Sequence, residues 1–134
     1  MWHTRNWIDG EHRNLEQTLA DIEVLAQGRS FGLAASKFKL FQRTLSKHLK
    51  EEEDILFPIL RRRFPKESLL ELMDQQHAQL EVTLEAIDRS LKQDDFQGFC
   101  SGLDALSRLL HGHQTTEEDF LTRISFVLPS GTPT

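Results

Sequence analysis

One seven-residue pattern with the side chains to bind a metal occurs twice in the chain. It reads His-x-x-x-Glu-Glu-Asp and spans residues 48–54 and 113–119. On a helix, side chains at positions i and i+4 lie on the same face, so each copy directs an imidazole and a carboxylate to one side. The two copies are 65 residues apart, and this separation indicates an internal repeat.

A shift of 65 residues also aligns the rest of the two halves. His12 falls on His77, and the segments 11–22 and 76–87 share His, Leu, Glu, Thr, Leu and Ile at matching positions. Apolar positions align as well: Phe41 with Leu106, Leu45 with Leu110, Ile55 with Phe120, and Ile59 with Ile124. The repeat predicts two helical hairpins related by a pseudo-two-fold internal duplication, so that equivalent residues meet across the axis.

The elements that position these residues are predicted to be helices. Apolar residues recur every three or four positions in four segments, at about residues 10–26, 31–63, 66–92 and 96–125, and no segment shows the period of two that is typical of a strand. Asp9 is a candidate N-cap for the first helix. Pro58 predicts an interruption of the second helix, because proline lacks the N–H that a helix requires.

Four such helices with short connections favour an all-α fold, an antiparallel up-down-up-down four-helix bundle. We expect one domain over residues 1–126 and a flexible C-terminal tail over residues 127–134. A hydrophobic content of 38% and a charged content of 28% are typical of a globular protein. A net charge of −5 argues against nucleic-acid binding, and no apolar run is long enough for a membrane span. The single cysteine, Cys100, favours a reducing compartment, so we expect a cytoplasmic protein.

Six polar residues occupy the apolar stripes of the predicted helices, one histidine on each helix and two glutamates. They are His12, His48, Glu52, His77, His113 and Glu117. Burial of such groups is costly unless a partner satisfies them. A pair of cations would do so, because imidazole and carboxylate are both metal ligands and a carboxylate can bridge two ions. The alternative is a metal-free core of hydrogen-bonded histidines and glutamates, and the symmetric conjunction of all six favours the metal.

These residues resemble the hemerythrin-like proteins, the HHE cation-binding family. Residues 7–12, Trp-Ile-Asp-Gly-Glu-His, are similar to the family's first-helix entry. The segment 48–58, from His-x-x-x-Glu to Ile-Leu-Phe-Pro, is similar to its second-helix motif, and residues 77 and 113–117 supply the other half. The resemblance extends over about residues 7–125.

The resemblance implies a non-haem di-iron centre inside the bundle. His12 and His48 would bind one iron, and His77 and His113 the other. Glu52 and Glu117 would bridge the two ions, together with an oxo, hydroxo or water ligand. Zinc or manganese are alternative metals.

Oxygen-carrying hemerythrins have two histidines four residues apart in the third-helix motif. In this chain the residues four before and four after His77 are Met73 and Glu81, so the second histidine is missing. The set of four His and two Glu is closer to relatives that repair iron centres under nitrosative stress and to iron-sensing domains. We therefore expect a di-iron protein that binds or reacts with a small diatomic or peroxide (O2, NO, H2O2) for sensing, transfer or stress protection. The alternatives are iron storage, delivery or sensing without redox turnover, and a zinc bundle that acts as an interaction module. No catalytic residue and no protein partner is assigned.

Other polar residues near the stripes have more than one interpretation. Glu16 and Glu81 support a ligand histidine, are solvated or, as a third alternative, bind a metal directly. The acidic residues that follow the ligand glutamates, among them Glu53 and Glu118, are either solvated or lie behind the ligands. His111 is expected at the surface, and Trp7 is expected to pack against the core or to cover the end of the bundle.

Overall fold

The structure, a computed structural model, describes residues 4–124, with side chains from residue 7 onward. Within this range there is no strand. The helical elements are α1 (Thr4–Gln27), α2 (Phe31–Glu51), a π-helical turn (Glu52–Leu56), α3 (Phe57–Arg63), α4 (Leu69–Lys92) and α5 (Phe96–Arg123). The predicted tail at residues 127–134 lies outside the described residues.

Helices α1, α2, α4 and α5 form a ring of contacts. Helix α1 packs against α2 and α5, α4 packs against α5, and α2 packs against α4. The prediction of an all-helical four-helix bundle is therefore confirmed at this level. The predicted start of the first helix was wrong: α1 includes residues from Thr4 onward, so Asp9 is inside the helix and is not its N-cap.

The predicted interruption near Pro58 is confirmed, and it takes the form of a π-helical turn. The backbone N–H of Phe57 bonds to the carbonyl of Glu52, five residues back, where an α-helix would use the carbonyl four residues back. Pro58 lies directly after this turn, at the start of α3, where the π-helical spacing already departs from the bond to the carbonyl four residues back that proline cannot make.

The π-helical turn changes the face that the following residues present to the core. The sequence pattern places Ile55 and Ile59 inside, but Ile55 is 44% exposed, and Leu56, Phe57 and Leu60 are buried instead. The prediction for Ile55 was wrong because a π-turn contains one residue more than the regular period allows, whereas Ile59 is half-buried.

Apolar side chains form two separate clusters. The main core consists of Leu15, Leu19, Ile22, Ala26, Ala34, Phe38, Phe41, Leu45, Leu49, Leu80, Leu84, Ile87, Phe99, Leu103, Leu106 and Leu110. The end core consists of Ile8, Leu56, Phe57, Leu60, Leu70, Met73, Phe120, Leu121 and Ile124. Cys100 is half-buried against the main core.

A buried polar layer separates the two cores on every long helix. On α1, for example, His12 lies between Ile8 of the end core and Leu15 of the main core. The layer consists of His12, His48, Glu52, His77, His113, Gln114 and Glu117. None of the helices in the described range is long and apolar enough to cross a membrane.

Candidate metal centre

The structure brings all six predicted site residues together inside the polar layer, each at most 3% exposed. They form two groups that share Glu52. In each group the candidate ligand atoms lie within 4.8 Å of one another, and the groups are His12, His48, Glu52, Glu117 and Glu52, His77, His113. Each half of the chain thus supplies one pair of histidines.

Glu52 lies between the two pairs because it is the first residue of the π-helical turn, one helical turn after His48. Its Oε2 is 2.9 Å from Nε2 of His48 and 4.0 Å from Nε2 of His12. Its Oε1 is 2.8 Å from Nε2 of His77 and 3.1 Å from Nε2 of His113. One carboxylate therefore turns one oxygen to each histidine pair.

Glu117 makes a similar connection from the continuous helix α5. Its Oε1 lies 3.0 Å from Nε2 of His12, and its Oε2 lies 3.7 Å from Nε2 of His113. Glu117 is therefore closer to the first pair than to the second.

The second ring nitrogen of each histidine bonds to an acceptor on a neighbouring helix. The Nδ1 to oxygen distances are 2.5 Å for His12–Glu118, 3.3 Å for His48–Glu11, 2.7 Å for His77–Glu53 and 2.8 Å for His113–Gln76. Because the oxygens are acceptors, these bonds assign the proton to Nδ1. In the neutral imidazole a lone pair is then left on each Nε2, which faces the two glutamates and is available to a metal.

The four acceptors resolve the two interpretations of the acidic neighbours. Glu53 and Glu118 accept hydrogen bonds from Nδ1 of His77 and His12, the ring nitrogens that do not face Glu52 and Glu117. Glu16 is exposed, and within residues 7–124 no hydrogen bond joins Glu16 or Glu81 to a histidine of the layer.

Two of the acceptors, Glu11 and Gln76, were not anticipated from the sequence. The repeat offered a signal, because Glu11 directly precedes His12 and Gln76 directly precedes His77, so the two acceptors are equivalent under the 65-residue shift. Their contacts cross from one helix to another, and such a contact has no periodicity along the chain.

The buried atoms without hydrogen-bond partners test whether these residues fit a metal. They include His48 Nε2, Glu52 Oε2 and Glu117 Oε2. His48 Nε2 and Glu52 Oε2 approach to 2.9 Å, yet no hydrogen bond joins them. Two lone pairs that converge without a shared proton are typical of two ligands of one cation. Imidazole and carboxylate suit iron, zinc or manganese, so the residues fit a pair of such ions.

The pKa shifts show how strongly the layer attracts positive charge. Burial alone would lower the pKa of His12, but its contacts with Glu117, Glu52 and Glu118 raise the pKa to about 10. Burial would raise the pKa of Glu52, but its contacts with Glu117 and the histidines hold the pKa well below 4.5. Burial and the charge of Glu52 raise the pKa of Glu117 well above 4.5. Without a metal, the layer therefore retains protons on His12 and on Glu117, beside the carboxylate of Glu52.

The family model of the hemerythrin HHE cation binding domain matches residues 3–124. The chain belongs to this family. No match is found among curated proteins or among solved structures. The resemblance read from the motifs is confirmed, and the buried cluster of this hemerythrin HHE domain is one that can hold a metal.

In this hemerythrin domain, aromatic rings lie against two of the four histidines of the polar layer. The ring of Trp7 lies 5.4 Å from that of His48, and the ring of Phe57 lies 5.0 Å from that of His77. Trp7 is half-buried and packs against the end core, in agreement with the packing role expected for it. His111 is exposed, also as expected.

Proposed function

We propose that this hemerythrin HHE domain holds two iron ions and binds or reacts with a small diatomic or peroxide. His12 and His48 would hold one ion and His77 and His113 the other, and Glu52 and Glu117 would be shared by both ions, together with an oxo or hydroxo group. The position of Glu52 carries this proposal, because its two oxygens face two different histidine pairs at 2.8–4.0 Å. A carboxylate in this position is typical of dinuclear sites in helical bundles.

The chain's own residues orient the ligands and exclude water. The hydrogen bonds at Nδ1 hold each imidazole in one tautomer and one orientation. One turn from each histidine, a leucine of the main core closes the layer on that side: Leu15, Leu45, Leu80 and Leu110. An iron pair supplies exchangeable coordination positions and two accessible oxidation states, which suit sensing, transfer or detoxification of O2, NO or H2O2.

We further propose that the bundle is antiparallel, up-down-up-down, and internally duplicated. Helices α1 and α4 pass from the end core through the polar layer to the main core, whereas α2 and α5 pass in the opposite order. The acceptors at Nδ1 support the duplication, because Glu11 and Gln76 are 65 residues apart, as are Glu53 and Glu118.

Two variants test the ligand set. Glu52→Ala removes the residue common to both groups, so we expect binding of both ions to weaken by more than about 100-fold, beyond the loss typical of an outer residue. The double variant His48→Ala/Glu117→Ala should also lose iron and much of its stability. His111→Ala is the control, since His111 is exposed. Full iron content in the double variant, measured by elemental analysis, would overturn the assignment.

The visible spectrum of the iron-loaded protein tests the proposed reactivity. We expect charge-transfer bands of a bridged ferric pair that shift when azide, O2 or NO is added. A colourless protein purified with stoichiometric zinc from its native host would contradict the proposal and favour a structural metal.

The second candidate function is storage, delivery or sensing of iron without redox turnover. The observation that favours it is the polar layer itself, which separates the two cores and contains buried charges. Metal binding should therefore be coupled to stable folding. This candidate predicts a large fall in melting temperature on chelation and an iron spectrum that does not respond to azide, O2 or NO.

A further inference from the structure

The two histidine pairs have chemically different surroundings, although their ligands are spaced alike. Behind His48 lies the carboxylate of Glu11, and at the equivalent place behind His113 lies the amide of Gln76. The other two outer acceptors, Glu118 behind His12 and Glu53 behind His77, are both carboxylates. The two halves thus differ by one negative charge in this outer layer.

A chain of hydrogen bonds in the second half orients the amide of Gln76. Its Nε2 donates to Oγ1 of Thr116 over 3.3 Å, and the hydroxyl of Thr116 donates to the carbonyl of Gly112 over 2.9 Å. The carbonyl oxygen of Gln76 is thereby directed to His113. In the first half, the residues equivalent to Thr116 and Gly112 are Glu51 and Lys47, so the same chain of bonds is not encoded there.

The two glutamates shared by the pairs do not add to this difference. Glu117 is nearer to the first pair, at 3.0 Å from His12 and 3.7 Å from His113. Glu52 is nearer to the second pair, at 2.8 and 3.1 Å from its histidines against 2.9 and 4.0 Å for the first. The difference therefore lies in the outer acceptors, two carboxylates for the first pair against one carboxylate and one neutral amide for the second.

A carboxylate that accepts the Nδ1 proton makes the imidazole a stronger donor, and loss of such a partner costs about 10- to 100-fold in metal affinity. Glu11 is 32% exposed and its bond to His48 is long, at 3.3 Å. Solvent screens part of its charge, so we expect an effect near the lower end of that range.

We infer that the two metal positions fill in order, with the His12–His48 position binding its ion first and more tightly than the His77–His113 position. This inference rests on the proposed function, since it requires two ions. A singly loaded protein then exists over a defined range of metal concentration, with its ion at the His12–His48 position.

Calorimetric titration of the metal-free protein with Co²⁺ tests the order, with native mass spectrometry to count bound ions and the visible cobalt spectrum to report coordination. Two steps are expected, with affinities that differ by about tenfold or more. His48→Ala should remove the tight step, and His113→Ala should remove the weak one. Loss of the tight step in His113→Ala would overturn the order.

The near-isosteric variants Glu11→Gln and Gln76→Glu test the cause. Glu11→Gln should weaken the tight step about tenfold and bring the two steps together, whereas Gln76→Glu should strengthen the weak step. The control Glu16→Gln removes an exposed carboxylate of the same helix and should change neither step. A merely structural role for Glu11 would change the melting temperature of the metal-free protein but not the ratio of the two affinities.

The outcomes separate this inference from the proposed function. Two ions bound with equal affinity would overturn the order of filling and leave the dinuclear site intact. Fewer than two ions bound at saturation would overturn both.

Discussion

The two helices that carry the His-x-x-x-Glu pattern both place a histidine and a glutamate in the polar layer, but their backbones differ after the glutamate. Helix α5 continues without interruption past Glu117, whereas α2 gives way to the π-helical turn at Glu52. Buried positions are 65 residues apart up to the glutamates and 64 apart beyond them, since Leu56, Phe57 and Leu60 correspond to Phe120, Leu121 and Ile124. The two halves thus share the spacing of their ligands but differ by one residue between the glutamate and the end core. The π-turn accommodates this extra residue in the first half.

Single-residue deletions should have the largest effect on this comparison. Deletion of the exposed Asp119 rotates the following part of α5 by about 100°, so that three end-core side chains turn to solvent. We expect a loss of more than about 4 kcal/mol in the free energy of unfolding.

Deletion of Ile55 is the matched change in the first half. It is made together with Pro58→Ala, because a regular turn would place Pro58 inside a continuous α-helix, where proline costs about 3 kcal/mol. The deletion gives this helix the same spacing as α5, so a regular turn can replace the π-turn, and the loss relative to Pro58→Ala alone should be much smaller. Urea unfolding followed by circular dichroism measures both variants. An equal loss in the two would show that the π-turn is required for stability.

Alanine substitutions test the same register with smaller expected changes in stability. Leu56→Ala empties a fully packed position of the end core and should cost about 2–5 kcal/mol, whereas Ile55→Ala at a 44% exposed position should change stability by no more than about 0.5 kcal/mol. A regular helical period predicts the opposite order. Chemical denaturation of the two variants decides between the registers.

Leu49 and Gln114 compare the two halves inside the polar layer. They are equivalent under the 65-residue shift and both are buried, but neither amide atom of Gln114 has a hydrogen-bond partner. Gln114→Leu should raise the free energy of unfolding of the metal-free protein by about 1–3 kcal/mol, because an unsatisfied amide leaves the interior. A loss of stability in urea would show that the amide has a partner.

The smallest expected effect concerns a pair of charged residues at equivalent positions of the two halves. One pair, Lys39 and Asp88, has opposite charges, whereas the equivalent pair, Asp104 and Glu23, has like charges. Lys39 contacts Asp88 and lowers its pKa, with a further contribution from Lys92. At the equivalent positions, burial raises the pKa of Glu23, and the charge of Asp104 raises it further. The two carboxylates should therefore respond to pH in opposite directions.

The Asp88 contribution is present above its ordinary pKa and is lost as the pH falls through the lowered value. The contribution of protonated Glu23 is present at low pH and is lost as the pH rises through its raised value. At neutral pH, Asp88→Asn should thus destabilise the fold and Glu23→Gln should stabilise it, each by a few tenths of a kcal/mol. Urea unfolding of the two variants from about pH 3 to about pH 7 measures these changes in stability. Changes of the same sign in both variants at neutral pH would contradict the comparison.

The sequence predicted the helical fold and the six residues that come together, because the i, i+4 spacing and the 65-residue repeat are local, countable signals. It misplaced Ile55, because a count of periods assumes a constant number of residues per turn. The outer acceptors Glu11 and Gln76 were missed for a different reason. Their contacts depend on the distance between neighbouring helices, and that distance has no signature along the chain.

The π-helical turn also bears on the history of the chain. If the halves descend from one ancestral hairpin, the extra residue between Glu52 and Leu56 dates from after the duplication, as a gain in the first copy or a loss from the second. A π-turn confines such an insertion to one turn of helix, and the residues before and after it keep their neighbours. A mutation that would disrupt an uninterrupted helix could therefore be inherited without compensating changes at the ligands.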